Sequence, residues 1–225
     1  MSKEISKLVL FIKFVFAVPV MMAVLFWPAG TLRWVEAWVY IVLQLGYAVA
    51  MVFYFLKYNP ELIKKRMETK LPPKLWDKIV MLPVIVFMIS LLIIPGLDLR
   101  YGWSSVPLYL EIVGFVGFIL SSYWIFLVMK ENSYLLKTVE IQKGQKVVST
   151  GPYNFVRHPM YLGTVVMVFS IAFALGSVYT LIPAALVSLA MMIRTWFEDE
   201  MLQKELKGYK AYTKKTKYRI LPGIW

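Results

Sequence analysis

Two short runs concentrate the residue types that do chemistry. The first is Gly151-Pro152-Tyr153-Asn154-Phe155-Val156-Arg157-His158-Pro159-Met160-Tyr161-Leu162-Gly163, which holds the one histidine of the chain beside an arginine. Pro159 suits the first turn of a helix, where its missing N–H is not needed. Backbone N–H groups at such a turn favour an anion, and Arg157 and His158 reinforce that preference. The plain alternative is an arginine lying along lipid and a histidine capping a helix. The second run is Arg194-Thr195-Trp196-Phe197-Glu198-Asp199-Glu200. Arg194 and Glu198 stand four residues apart and share a helix face. Charges at the edge of an apolar span are expensive and mark a functional candidate; the plain alternative is a helix-end salt bridge. Three acids at a helix C-terminus oppose the macrodipole, so a diol, a cation or nearby lysines must compensate them.

Two further groups are less specific. The polar stretch Glu140–Thr150, with Gly144 and the β-leaning Val147-Val148, is either a loop that folds over a ligand or a connector. Glu36, Gln44 and Glu111 sit in apolar surroundings, where snorkelling or helix packing accounts for them.

These residues need elements to hold them, and composition says which. Of 225 residues, 60% are hydrophobic and only 17% charged, against about 45–50% and about 25% in soluble domains. The apolar excess calls for lipid. There is no cysteine and one histidine, which removes disulfides, thiol nucleophiles and Cys-ligated metals and argues against a multi-histidine metal site. The net charge of +12 fits loops facing anionic lipid rather than nucleic acid. Apolar stretches run over Leu8–Trp27, Trp34–Leu56, Ile79–Leu97, Val106–Met129, Met160–Leu175 and Val178–Phe197. The expected fold is an all-α integral membrane protein of six transmembrane helices, five being the alternative. The fifth stretch is short, and either residues 157–159 extend it or it stops before the far face. Gly176-Ser177 makes a tight helical hairpin with the sixth. Pro19 kinks the first, and Trp27, Trp34, Trp103 and Trp124 sit near span ends as interfacial aromatics do.

Of the 25 basic residues, 23 fall on alternate connections, which places those connections and both termini in the cytoplasm, at the inner membrane in a prokaryote. Asn59-Pro60-Glu61 opens a short interfacial helix with Leu62, Ile63, Met67 and Leu71 on one face, closed by Pro72-Pro73. Phe197, Met201, Leu202, Leu206 and Tyr209 form an amphipathic stripe in the tail. Residues 1–130 then make a four-span scaffold. Residues 131–225 make a catalytic region of cytoplasmic loop, helical hairpin 158–197 and amphipathic tail.

The two runs together carry a resemblance. Arg157-His158-Pro159-x-Tyr161-x-Gly163, followed after one hairpin by Glu198-Asp199, resembles the isoprenylcysteine carboxyl methyltransferase and phospholipid N-methyltransferase superfamily. Gly151-Pro152-Tyr153, Tyr209-x-x-Tyr212 and Tyr218-Arg219-Ile220-Leu221-Pro222 are also similar, so the resemblance covers roughly residues 140–225. It implies a membrane-embedded enzyme that uses S-adenosylmethionine and no metal. By the same resemblance, Gln145, Lys146, Val147, Val148, Tyr153, His158, Pro159, Met160, Tyr161 and Glu198 contact the cofactor, and Arg194 handles substrate in catalysis. Asp199, counted with Glu198 as a cofactor contact, stands where the family usually has glutamate, which keeps the charge and shortens the reach. Gln145 stands where a histidine is frequent. Arg157 joins His158 as a partner for the cofactor carboxylate. The implied partners are a lipophilic or lipid substrate and membrane lipids: an isoprenylcysteine-type carboxylate, a phospholipid amine, or a small lipophilic thiol or acid. A six-span transporter using Glu36, Gln44 and Glu111 is the alternative from another class, and a sterol-reductase-like enzyme ranks below both.

The cysteine-free chain makes its topology testable. Lys70→Cys, in the second basic connection, is expected to resist a membrane-impermeant maleimide on intact cells and to label after permeabilisation. Labelling from outside overturns the orientation.

Overall fold

Backbone amides inside a bilayer must be satisfied within the segment, so apolar stretches of this length become helices. The computed structural model describes the backbone of residues 7–67 and 72–225, and side chains over 15–66 and 72–225. Lys70, Leu71 and the Met67 side chain, named above, lie outside the described residues. Among those described there are eight α-helices, one 3-10 turn and no strand. The helices are α1 (Lys7–Ala29), α2 (Val35–Tyr58), α3 (Pro60–Met67), α4 (Leu75–Tyr101), α5 (Leu108–Glu131), α6 (Pro159–Ala174), α7 (Leu181–Glu205) and α8 (Tyr209–Lys215); the 3-10 turn is Gly151–Asn154. Every apolar stretch coincides with one helix. Helices α2, α4, α5 and α7 are long and apolar enough to cross a membrane, while α6 and the described part of α1 are shorter apolar helices.

The short α6 begins at Pro159 and not before. The N–H groups of Arg157 and His158 donate to the carbonyls of Tyr218 and Arg219, each at 2.9 Å, so these residues pair with the tail instead of adding a helical turn. At about 1.5 Å per residue α6 covers about 24 Å, less than the roughly 30 Å hydrocarbon core.

The long helices pack in a chain of neighbours: α1 on α4, α4 on α7, α7 on α6 and α6 on α5, with α2 resting on α1 and α5. Small residues set the closest approaches, as expected where lipid removes the hydrophobic drive between helices. A Cβ on Gly114 of α5 would collide with the Ala174 nitrogen and lie 2.8 Å from the Ser170 carbonyl oxygen of α6. A Cβ on Gly96 of α4 would lie 2.8 Å from the Leu25 carbonyl oxygen of α1. The α6–α7 hairpin turns through Gly176 at φ +73°. Beside it, buried Asp98 accepts from the Ser104 N–H at 2.7 Å, the Ser104 hydroxyl at 2.6 Å and the Ser177 hydroxyl at 2.5 Å. One carboxylate thus ties the far ends of α4, α5 and the hairpin.

Three local expectations change in three dimensions. Helix α3 is capped as expected, Asn59 Oδ1 accepting the Leu62 N–H at 3.2 Å. Its apolar face, however, is buried against Phe55 and Met129 rather than left for the interface. The stripe 197–206 continues α7 instead of starting a new helix, and α8 follows after a turn at Gly208. Trp34 is buried edge-on to Phe26 at 6.3 Å, and the Trp124 indole N–H donates to the Pro159 carbonyl at 2.8 Å. Neither serves as a free interfacial anchor.

Because the atoms facing Gly114 are backbone, they cannot rotate away. Gly114→Val is expected to force α5 and α6 apart and lower the detergent-state Tm, overpacking costing about 1–3 kcal/mol. Gly46→Ala, with nothing within 4 Å of the added methyl, is expected to keep or raise it, since alanine favours a helix by about 1 kcal/mol. Equal Tm values for the two variants contradict this packing.

Candidate functional site

Polar residues of three basic connections, 57–78, 130–157 and 194–225, meet at one end of the bundle. They line a cavity of about 830 Å³, within the range of small-molecule sites. The cavity has two parts. Its polar end is walled by residues 134–140, 145–148, Tyr153, Arg157–Tyr161, Arg194, Glu198, Tyr209 and Tyr212. Its apolar arm runs between α1 and α4, along Val20, Val24, Val84, Ile85, Ile89 and Leu92, with Tyr40 and Gln44 of α2 and Val187 and Met191 of α7. Val20 and Ile85 keep 60% and 54% of their surface exposed, so the arm opens sideways between the two helices. That opening follows from the packing, because α1 and α4 meet closely at Gly96, toward the opposite end.

Asp199 organises the polar end from behind the wall. It is 0% exposed and does not line the cavity. Arg157 Nε and Nη2 donate to its two oxygens at 2.9 and 3.0 Å, Arg219 Nε at 3.0 Å, Gln203 Nε2 at 2.8 Å and the Tyr209 hydroxyl at 3.1 Å. His158 Nε2 lies 3.3 Å away. Arg157 Nη1 also donates to the Lys217 carbonyl at 3.0 Å and the Thr216 carbonyl at 3.3 Å. The Arg157 guanidinium is therefore engaged with Asp199 and the tail. Burial first, and then Asp199, pushes the Tyr209 hydroxyl pKa well up, so it stays a donor at neutral pH.

Arg194 does not pair with Glu198. Its Nε and Nη2 donate to Asp77 at 2.8 and 3.3 Å, and Nη2 also to the Lys137 carbonyl at 2.8 Å. Asp77, in the first turn of α4, is 0% exposed and also accepts the Val139 N–H at 3.1 Å. One buried pair thus joins α4, α7 and the 137–139 backbone. The Arg194 guanidinium lies 5.6 Å from the centre of the Tyr161 ring. Glu198, left without an arginine, accepts the Tyr161 hydroxyl at 2.5 Å. Its remaining acceptor capacity faces the cavity.

The stretch around Glu140–Thr150 is a loop held by its own polar groups. Gln145 Oε1 accepts the Gln142 N–H at 2.9 Å, Gln142 Nε2 donates to the Tyr134 carbonyl at 2.7 Å, and Lys65 Nζ donates to Gln142 Oε1 at 2.6 Å. Thr150 donates to Glu131. Val147 and Val148 pack with Leu202, Leu206 and Tyr209. Tyr153 is buried, its hydroxyl accepting from Asn132 Nδ2 at 2.8 Å and its carbonyl from the Tyr212 hydroxyl at 2.7 Å. Burial chiefly pushes the Tyr153 hydroxyl pKa up, and that of Tyr212 to about 12. Gly163 closes the motif because a Cβ there would meet Ile125 Cγ1 at 2.7 Å and Trp124 Cδ1 at 3.0 Å.

The structure brings together on the cavity wall Gln145, Lys146, Val147, Val148, Tyr153, Arg157, His158, Pro159, Met160, Tyr161, Arg194 and Glu198. It sets Asp199 behind that wall. Glu36 and Glu111 are not on it, although Gln44 is. Sequence reasoning missed Asp77, Asn132 and Arg66, all of which are at this site. Asp77 offered one weak signal, an acid opening an apolar span; the other two offered none.

Residues 108–208 match the phospholipid methyltransferase family model, and with it the superfamily resemblance drawn from the motifs is borne out. The mouse (Mus musculus) delta(14)-sterol reductase TM7SF2 is 30% identical over 94 residues, 40% of this chain and 22% of that protein. The chain therefore spans about a fifth of the length of that relative.

Removing one member of a buried ion pair costs about 3–5 kcal/mol, because the other charge is left stranded. Asp77→Ala and Arg194→Ala are each expected to destabilise on that scale, and the double variant by much less than their sum. A cycle of Arg194→Ala with Glu198→Ala is expected to show weaker coupling, because these two share the Tyr161 side chain but no hydrogen bond. The opposite pattern in thermal unfolding restores the helix-end pair Arg194–Glu198.

Proposed function

We propose that this chain is an integral-membrane methyltransferase that moves a methyl group from S-adenosylmethionine to a nucleophile on a lipophilic substrate. The observation that carries this reading is one continuous cavity, polar where the motif residues gather and apolar where it opens between α1 and α4. The phospholipid methyltransferase match over 108–208 supports the same reaction class.

The residues fit the proposed cofactor, which when bound supplies an electrophilic methyl on a sulfonium. Glu198, an acceptor when ionised, suits the donors of a ribose diol or an amine. His158 and the start of α6 suit an anionic group. Val147, Val148, Leu202 and Leu206 offer an apolar bed for a base. Arg157 and Asp199 hold the start of α6 and the tail in register rather than touching ligand. Asp77 takes two arms of the Arg194 guanidinium, which fixes its plane and leaves Nη1 for an oxygen of the substrate. Alignment and exclusion of water are the main tasks left to the protein, since a bound, oriented pair reacts without the entropic cost of encounter. Residues 134–140 cover the polar end and restrict water there.

The apolar arm supports a substrate with a long apolar part that enters from the bilayer. An isoprenylcysteine-type carboxylate, a phospholipid amine and a lipophilic thiol or acid all meet that description. On this reading residues 131–225 carry the catalysis, while 1–130 form the scaffold and wall the lipid arm. The basic end then faces the cytoplasm. A reductase reading rests on the partial likeness to a sterol reductase, and a transporter reading loses Glu36 and Glu111 as a path because neither lines the cavity.

Calorimetric titration of the purified protein decides between them. S-adenosylmethionine is expected to bind saturably and a reduced nicotinamide dinucleotide not to bind. Glu198→Gln is expected to weaken cofactor binding by about tenfold or more, the scale of a charge-assisted hydrogen bond, with Tm little changed. Arg194→Lys is expected to lower methyl transfer more than cofactor affinity. Nicotinamide binding without S-adenosylmethionine binding replaces this reading with the reductase.

A further inference from the structure

The arginines of the site differ in one respect. Arg157 and Arg219 are paired with Asp199, and Arg194 with Asp77. Arg66, at the end of α3, also lines the cavity and is half-buried. Among the described residues it has no carboxylate within 4 Å, and its hydrogen bond is a long one, from Nη1 to the Leu135 carbonyl at 3.4 Å. A guanidinium offers five N–H donors, so most of its capacity is unused. Close by, the Tyr47 hydroxyl is buried with no hydrogen-bond partner. Two carboxylates on the cavity wall, Glu140 and Glu198, stand beyond ion-pair distance from it. Burial pulls the Arg66 pKa down, with the Tyr47 and Tyr153 hydroxyls opposing that. A buried charge without a partner is costly, and proteins retain one where something else supplies the counter-charge.

We propose that Arg66 is an anion-binding residue of the cavity, which closes on a carboxylate or phosphate of the bound molecule. Planar, forked donors match those oxygens, and the match is bidentate where two N–H groups are free. Two molecules offer this chemistry at this place. One is the amino-acid carboxylate of the proposed cofactor, and the other is the anionic head of an amphiphile whose tail lies in the apolar arm. Naming the occupant rests on the proposed function; the need for an anion does not. Arg66 lies on α3, outside the matched segment 108–208, so this contact belongs to the N-terminal part of the chain.

The test uses the full chain in a neutral detergent, with two probe pairs in which one member carries the anionic group and the other lacks it. S-adenosylhomocysteine is compared with 5′-methylthioadenosine, which lacks the amino-acid carboxylate and ammonium. A lysophosphatidic acid is compared with the monoacylglycerol of the same chain. Arg66→Gln is expected to weaken one anionic probe by about tenfold or more and to leave its neutral counterpart unchanged. Loss with S-adenosylhomocysteine assigns the cofactor carboxylate; loss with lysophosphatidic acid assigns the lipid head. Arg66→Lys, which keeps the charge, is expected to recover part of the affinity. Unliganded Arg66→Met is expected to keep or raise the Tm, because it removes an uncompensated charge. Unchanged binding of both anionic probes overturns the proposal. So does an equal loss for the neutral partners, a fall in Tm like that of Asp77→Ala, or failure of the wild type to bind either anion. If the wild type binds lysophosphatidic acid but not S-adenosylhomocysteine, the methyltransferase reading fails while the lipid pair still tests Arg66.

Discussion

A single carboxylate with no exposed surface holds the polar end of this protein together. Asp199 sits on α7 and receives Arg157 from the segment before α6, Arg219 from the C-terminal tail, and Tyr209 from α8. These partners come from three segments, two of which are also joined by backbone bonds from Arg157 and His158 to the tail. Burying a carboxylate costs several kcal/mol unless its lone pairs are filled, and here both oxygens accept from charged or hydroxyl donors. Removing that centre would leave two arginines without their carboxylate, and the start of α6 held to the tail by main-chain bonds and Arg157 Nη1 alone. The wall of the cavity is built on it, although Asp199 itself never reaches the cavity.

A second buried pair does for the two halves of the chain what Asp199 does within the C-terminal half. Asp77 opens α4, and Arg194 lies on α7, 117 residues later. Their contact also captures the backbone at Lys137 and Val139. The orientation of Arg194 is thus decided by a residue at the start of a remote apolar helix. Helices α1 and α4 close on each other near Gly96, and an apolar channel lies between them beside the polar end. Packing and chemistry share elements: the glycine that lets two helices touch at one end allows them to separate at the other.

Pairing also sorts the arginines by task. A guanidinium held by a carboxylate has its charge compensated and its plane fixed, which suits a frame or a directed contact. One facing a cavity without such a partner has donors left for a ligand. Arg157 and Arg219 belong to the first kind, Arg194 lies between, and Arg66 belongs to the second. Chemical type alone does not make this distinction, since all four are the same residue in basic connections.

Much of the architecture was legible in the chain itself. Six apolar stretches became six helices, because helix formation in lipid is a local demand of the backbone. The Asn59 cap, the Gly176 hairpin and the gathering of the Arg157–Gly163 and Arg194–Glu198 runs at one site were readable for the same reason: periodicity, turn chemistry and motif spacing are properties of neighbouring residues. The partners of the charges were not readable. Arg194 and Glu198 share a helix face at a spacing of four, yet Arg194 turns to Asp77 and Glu198 to Tyr161. Arg157, expected beside a ligand, lines the cavity and also pairs with Asp199, a partner that its spacing did not show. The burial of α3 against Phe55 and the places of Asn132 and Arg66 were equally hidden. Sequence spacing determines which side chains lie on one face of a helix; only the tertiary structure brings remote carboxylates within 3 Å, and at that distance in a low-dielectric setting the closer counter-charge wins.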